Sequence, residues 1–178
     1  MHLFPVTLAS IDAYLATYGL LAVFGVIYLE SLGLPLPGES GVIASTVLAI
    51  HGDFSIFHLL AVVWAAAVLG DSTGYLIGRI GGRPLLQRYG RLVRLTPDRL
   101  GKVEDVFRRR GAWIVVGARF VVLLRQLNGL VAGSMGMGWP QFLAANALGG
   151  LLWAATWTLG PYYLGEFFGL DGALHHRP

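Results

Sequence analysis

The 178-residue chain has no cysteine, and only 13% of it is charged. The first absence removes disulfides, Cys-ligated zinc and thiol chemistry together, and leaves the compartment open. The second excludes an ordinary soluble domain, in which about a quarter of residues are charged. Histidine is missing from the interiors of the apolar stretches, since His51 and His58 both fall near their ends. The opening residues show no basic segment followed by a small-residue cleavage site, so no removable signal peptide is expected. No metal site and no cofactor is expected either. What is abundant is apolar: hydrophobic residues are 55% of the chain and the mean hydropathy is +0.63. The composition predicts an integral membrane protein of one compact domain, residues 1–178.

The basic residues are gathered in one place. Ten of the thirteen Lys and Arg lie between Arg79 and Arg110, flanked on both sides by apolar sequence. The positive-inside rule reads this segment as a cytoplasmic loop. Nucleic-acid binding is disfavoured by the membrane context, whereas anionic lipid headgroups suit the segment.

Along the chain, Leu3 to Ala16 reads as a short interfacial helix. Tyr18 to Leu34 is apolar enough to enter a membrane, and Pro35, Pro37 and Gly38 break it. The next apolar arm, Val42 to Ile50, is far short of the ~20 residues a spanning helix needs. Two arms meeting at a Pro-Gly tip predict a re-entrant hairpin, closed by His51, Gly52 and Asp53. Such a tip is tolerated only inside protein or beside a wet cavity. Phe57 to Gly78 is a full span, and Gly70, Gly74 and Gly78 would let another helix approach closely. Thr96-Pro97 predicts a helix from Pro97 to Arg109. Ala112 to Met135 is a second interrupted stretch, with Asn128 and Gly129 as its expected break. Trp139 to Leu159 is another span, and Pro161 to Leu170 either continues it or forms a last short arm. Asp171 to Pro178 reads as a polar tail. Trp113 and Trp139 sit where an aromatic belt would place them.

Ala65–Gly70 and Ala144–Gly149 share four of six residues. Together with the order hairpin, span, basic loop, hairpin, span, this predicts two repeats of opposite orientation. The fold class is therefore all-α and polytopic, an inverted repeat of re-entrant hairpin plus transmembrane helix. Repeat 1 covers about 17–79, the basic cytoplasmic loop about 80–111 and repeat 2 about 112–170.

Charges within the apolar stretches carry the functional signal. Each costs roughly 2.5 to 3.5 kcal/mol at bilayer depth on insertion scales, and so marks a site. Glu30 and Glu39 would lie roughly 180° apart on a continuous helix, and Arg119 and Arg125 roughly 120° apart. Only broken arms let each pair share one cavity. Alternatives stand beside this: Glu39 as a helix cap, Arg119 as a snorkelling interfacial residue, Asp71 as a helix–helix hydrogen-bond partner. Asp53, Asp98, Glu104, Asp105, Glu166 and Asp171 read as solvated. Buried carboxylates suit proton handling, because desolvation favours their neutral form. Paired arginines suit phosphate, which they bind through planar, charge-assisted hydrogen bonds. The combination suggests proton-coupled movement of an anionic lipid headgroup; the competing reading is a neutralised structural network of Glu and Arg.

At these residues the chain resembles the DedA family of bacterial membrane proteins, relatives of the VTT-domain proteins. The resemblance rests on three blocks: Glu30 with Pro35-Leu36-Pro37-Gly38-Glu39; Gly70-Asp71 with Gly74-Tyr75 and Gly78-Arg79; and Arg119-Phe120 with Arg125, Ala132-Gly133, Met137, Phe142, Asn146, Gly149 and Trp153. It implies two opposed re-entrant hairpins in a multi-pass protein of the bacterial inner membrane. It also implies transport or scrambling of phospholipids or of a polyprenyl phosphate such as undecaprenyl phosphate, with proton coupling. The family's essential acids and arginines fall on Glu30, Glu39, Asp71, Arg119 and Arg125. Val122 stands where the family usually has a proline, and Gly129 where a second is common.

The expected function is thus a flippase- or scramblase-like lipid transporter and not an enzyme. Its expected partners are membrane lipids and protons, with homo-oligomerisation open. An ion or proton channel and an envelope-homeostasis assembly factor are the alternatives. An intramembrane hydrolase is disfavoured, because Ser40 beside Gly41 has no histidine at depth to activate it.

Overall fold

A computed structural model describes residues 8–50, 55–92, 101–102, 105 and 109–167. The polar tail, the hairpin closure at His51 to Asp53 and most of the segment Pro97 to Arg109 lie outside them. The described chain runs α1 (Leu8–Leu32), α2 (Gly38–Ile50), α3 (Ile56–Leu92), α4 (Ala112–Ala118), α5 (Val122–Ser134) and α6 (Trp139–Phe167). No strand occurs among the described residues, as the all-α reading requires. A broken pair of helices followed by one long helix therefore occurs twice. Ile56–Gly82 and Trp139–Leu164 are each long and apolar enough to cross a membrane. At 1.5 Å per residue α2 and α5, 13 residues each, reach only about 20 Å of a ~30 Å hydrocarbon core.

The first break follows its sequence. Gly33 has φ 122°, its N–H donates to the Glu30 carbonyl at 3.0 Å, and the Leu34 N–H donates to the Leu29 carbonyl at 3.1 Å. This is the Schellman ending that a glycine with positive φ permits. Pro35 and Pro37 lie in the irregular link, where neither interrupts a helix, and Gly38 opens α2. The same ending closes α5, with Gly136 at φ 73° and the Met137 N–H on the Ala132 carbonyl at 3.1 Å.

Three expectations about elements are corrected. The second break falls at Arg119–Val121, between α4 and α5, while Asn128 and Gly129 lie inside α5. Lone glycine is tolerated in a helix that gains close packing from it, and here it faces the α3 backbone. Among the described residues, Leu8 to Ala16 form no separate interfacial helix, because α1 runs unbroken from Leu8 to Leu32. The long helix does not end at Gly78: it kinks at Gly82, φ 58°, and resumes to Leu92 with Pro84 in its second part. Proline fits a first helical turn, where its missing N–H has no partner to lose. Of the two courses expected for Pro161 to Leu170, continuation of the span is the one seen as far as Phe167, with Pro161 inside α6.

In lipid, helices gain no hydrophobic energy by meeting, so close packing must hold them. Helix α3 is the spine, packed against α1, α5 and α6. A side chain at Gly70 would strike the Tyr28 carbonyl of α1, and one at Gly78 the Leu130 carbonyl of α5. Reciprocally, Gly129 and Gly133 leave room for the Asp71 and Tyr75 carbonyls. The Gly70 and Gly78 positions are thus used inside the chain. One apolar cluster joins Tyr75, Val115, Leu127, Leu130 and Phe142. The other joins Ile27, Val42, Leu59, Val63 and Trp153.

Candidate functional site: two buried arginine clusters

The breaks bring the intramembrane charges together in two sets. In the first, Arg125 projects from the first turn of α5. Its Nη2 donates to Glu30 Oε1 and its Nη1 to Glu39 Oε1, both at 2.6 Å. Its guanidinium also lies over the Trp153 ring, 4.9 Å from the centroid. Arg125 and Glu30 are sealed at 4% side-chain exposure, whereas Glu39 keeps 33%. Glu39 is therefore the set's opening to the outside.

The first break builds this arrangement directly. Glu30 lies in the last turn of α1 and Glu39 in the first turn of α2, and the link between them lets both reach one guanidinium. Gly38 makes room for the closure, since the Glu30 carboxylate and Ile27 Cδ1 occupy the space a side chain there would need. Glu39 also lies in the first turn of α2, so the helix-cap reading and the Arg125 pairing hold together.

In the second set, Arg119 Nη2 donates to Asp71 Oδ2 at 2.5 Å, Asn146 Oδ1 at 2.6 Å and the Ala67 carbonyl at 3.2 Å. Asn146 Nδ2 in turn donates to the Val68 carbonyl at 3.1 Å. Arg119 is 1% exposed and Asp71 fully buried, which rules out a snorkelling arginine. Asp71 is not a neutral helix–helix hydrogen bonder but the charge partner of Arg119. Asn128, expected at a hairpin tip, instead donates from Nδ2 to the Val115 carbonyl at 3.1 Å and ties α5 to α4.

The second break is made for Arg119. Val121, with φ −117° and ψ 112°, is extended, and Val122 is the first residue of α5. An extended residue followed by a first helical position is the conformation that an X-Pro pair favours. Val122 keeps that backbone without the proline. Three guanidinium nitrogens remain buried without a protein partner: Arg119 Nε, Arg119 Nη1 and Arg125 Nε. Unused donors at depth are costly, and a multivalent anion could satisfy them.

The four charges that the spacing pairs by type are paired by opposite sign: Arg125 takes both glutamates, and Arg119 takes Asp71. Two members escape the spacing argument. Asn146 and Trp153 complete the sets, and the signal for Asn146 is a lone amide inside a spanning helix. Trp113, 77% exposed, and Trp139, 39% exposed, differ in surroundings: Trp139 packs on Tyr75 at 5.1 Å and Phe142 at 6.0 Å. No group of three or more potential metal-binding side chains occurs among the described residues.

Comparison with known proteins agrees with this architecture. The VTT-domain family profile matches residues 15–163. An uncharacterised membrane protein of Synechocystis is 40% identical over 160 residues, covering 90% of this chain and 73% of its own. An uncharacterised membrane protein of Mycobacterium tuberculosis is 41% identical over 150 residues, 82% of this chain and 68% of its own. The protein DedA of Escherichia coli is 31% identical over 136 residues, 75% of this chain and 60% of its own. No solved structure matches significantly. With the profile spanning both broken helix pairs and both long helices, the chain belongs to the DedA family of VTT-domain membrane proteins.

Proposed function

We propose that this protein moves a phosphate-bearing lipid, a polyprenyl phosphate such as undecaprenyl phosphate or a phospholipid, across the bacterial inner membrane as a proton-coupled transporter. The observation that carries the reading is the Arg125 fork, held at both ends by carboxylates, one of them a third exposed. A fork of this kind binds phosphate and carboxylate through the same two N–H groups. Phosphate therefore competes with Glu30 and Glu39 for Arg125. A glutamate that takes a proton lets go of the guanidinium, and a glutamate displaced into an apolar site favours its protonated form. Proton uptake and phosphate binding then assist each other, which is the linkage a coupled carrier needs.

Arg119, with two unused donors, is the second phosphate contact, and Asp71 holds it in place. Helices α2, α4 and α5 are too short to span, which supports reading the two broken pairs as re-entrant arms of an inverted repeat. The site would then sit at mid-membrane, between discontinuous helices. The site residues offer acids, guanidiniums, an amide and an indole, a set suited to binding and proton exchange, and we assign no catalytic role to them.

The test is reconstitution in liposomes carrying labelled undecaprenyl phosphate or labelled phospholipid, with and without a pH gradient. The wild type should accelerate movement of one of them, and Arg125→Ala and Glu39→Gln should abolish it while staying folded. If neither lipid moves faster than in empty liposomes, the transporter reading fails. If both variants transport normally, the charges are a structural network.

A further inference from the structure

Trp153 carries a donor that the fold leaves unused. Its ring is buried at 2% exposure, and its indole Nε1 is without a hydrogen-bond partner among the described residues. Buried indole N–H groups normally find one, as Trp64 does when its Nε1 donates to the Ala147 carbonyl at 2.9 Å. Packing does not ask for the nitrogen. Trp153 joins the apolar cluster of Ile27, Val42 and Val63 and lays its ring against the Arg125 guanidinium, and a phenyl ring offers the same kind of face. An unpaired donor in such a place is a loss that a ligand can remove.

The surroundings point to the ligand's chemistry. Asn146 and Trp153 are seven residues apart in α6, which sets them only about 20° apart around the helix. One face of α6 therefore meets both arginines, Asn146 at Arg119 and Trp153 at Arg125. Around Arg119 the unpaired atoms are mixed, since Asp71 Oδ1 and the Oδ1 of Asn128 beside it are acceptors. Around Arg125 they are donors only, Arg125 Nε and Trp153 Nε1. A group made of acceptors alone suits such a pair, and phosphate is one. The indole nitrogen belongs to a ring centred 4.9 Å from the guanidinium carbon. A phosphate accepting at ~2.8 Å on two oxygens bridges donors up to about 8 Å apart, so one phosphate reaches both. We infer that Trp153 is a headgroup ligand: its ring face holds Arg125 while its Nε1–H donates to a phosphate oxygen of the bound lipid.

The inference rests on the lipid-phosphate reading above and adds a ligand to it. Trp153 Nε1 and Arg125 Nε are both free while the two glutamates still hold the fork. Phosphate therefore has a foothold before Glu39 yields its place on Nη1.

Protein carrying isotope-labelled indole nitrogens tests this by magnetic resonance in detergent micelles. The Trp153 N–H signal is identified by its loss when benzothienylalanine replaces Trp153, which puts sulfur in place of the N–H and keeps the ring face. Undecaprenyl phosphate or phosphatidylglycerol should move that signal downfield, as a hydrogen bond to a charged oxygen does. Undecaprenol and diacylglycerol, the corresponding chains without phosphate, should leave it in place. In liposomes the benzothienylalanine protein should need roughly tenfold to a hundredfold more lipid for half-maximal movement, the worth of one hydrogen bond to a charged group. Its maximal rate should match the wild type, since the lost contact serves binding.

An equal shift with undecaprenol or diacylglycerol overturns the inference. So does a signal that stays put while the wild type binds either labelled lipid phosphate, and the transport reading then stands. A shift with inorganic phosphate but with neither lipid keeps Trp153 as a phosphate ligand and sinks the lipid reading. If the wild type binds no phosphate compound, the transport reading fails and Trp153 loses its ligand with it.

Discussion

Replacing Asp71 by Asn should be among the most destabilising single changes in the molecule. The substitution keeps the size of the side chain and removes its charge, leaving Arg119 at 1% exposure without its counter-ion. Breaking a buried pair from one side costs about 3 to 5 kcal/mol, because the remaining charge is uncompensated. Arg119→Met should cost a similar amount by stranding the Asp71 carboxylate. The double variant Asp71→Asn/Arg119→Met removes both charges and leaves only neutral amide groups at positions 71 and 146 short of partners, a loss of about 1 to 3 kcal/mol. The two single costs should therefore exceed the double by at least about 3 kcal/mol, a coupling that only direct contact produces. Unfolding titrations in mixed micelles, followed by tryptophan fluorescence, would measure all four corners of the cycle. Single costs below about 1 kcal/mol, or costs that simply add, would refute the view that this pair locks α3 to the second break.

Gly133→Ala should lower the melting temperature sharply, because its methyl group would strike the Tyr75 carbonyl at the α3–α5 seam. Overpacking of this kind costs about 1 to 3 kcal/mol, and Gly25→Ala, in open space, should cost little. Trp153→Leu should weaken the Arg125 set by about 0.5 to 2 kcal/mol through the lost cation–π contact, and Trp153→Phe should restore part of it; equal losses for the two would remove the ring face from the account. Glu39→Gln should leave stability nearly unchanged, since Glu39 is a third exposed, yet abolish lipid movement at every pH. A pH profile identical to that of the wild type would deny Glu39 its role.

How much of this was legible beforehand differs between the two breaks. Pro35, Pro37 and Gly38 announce the first, because proline and glycine act through the local backbone. Nothing local announces the second. Arg119–Val121 contains neither residue, and its conformation goes with the Arg119 contacts to Asp71, Asn146 and the Ala67 carbonyl. Asn128-Gly129 misleads for the complementary reason: the same dipeptide that marks turns also gives a helix a smooth face, and here α3 lies against it. The importance of Glu30, Glu39, Asp71, Arg119 and Arg125 follows from the cost of charge at bilayer depth. Their pairing does not, since Arg119 and Asp71 are 48 residues apart and only the packed helices bring them together.

The central claim is that phosphate and the two glutamates share Arg125, and proton uptake on binding tests it most directly. Undecaprenyl phosphate added to the purified protein in weakly buffered detergent solution should draw protons from the medium. The double variant Glu30→Gln/Glu39→Gln should draw none beyond the detergent blank. Binding by the wild type without proton uptake, or uptake undiminished in the double variant, would contradict the account.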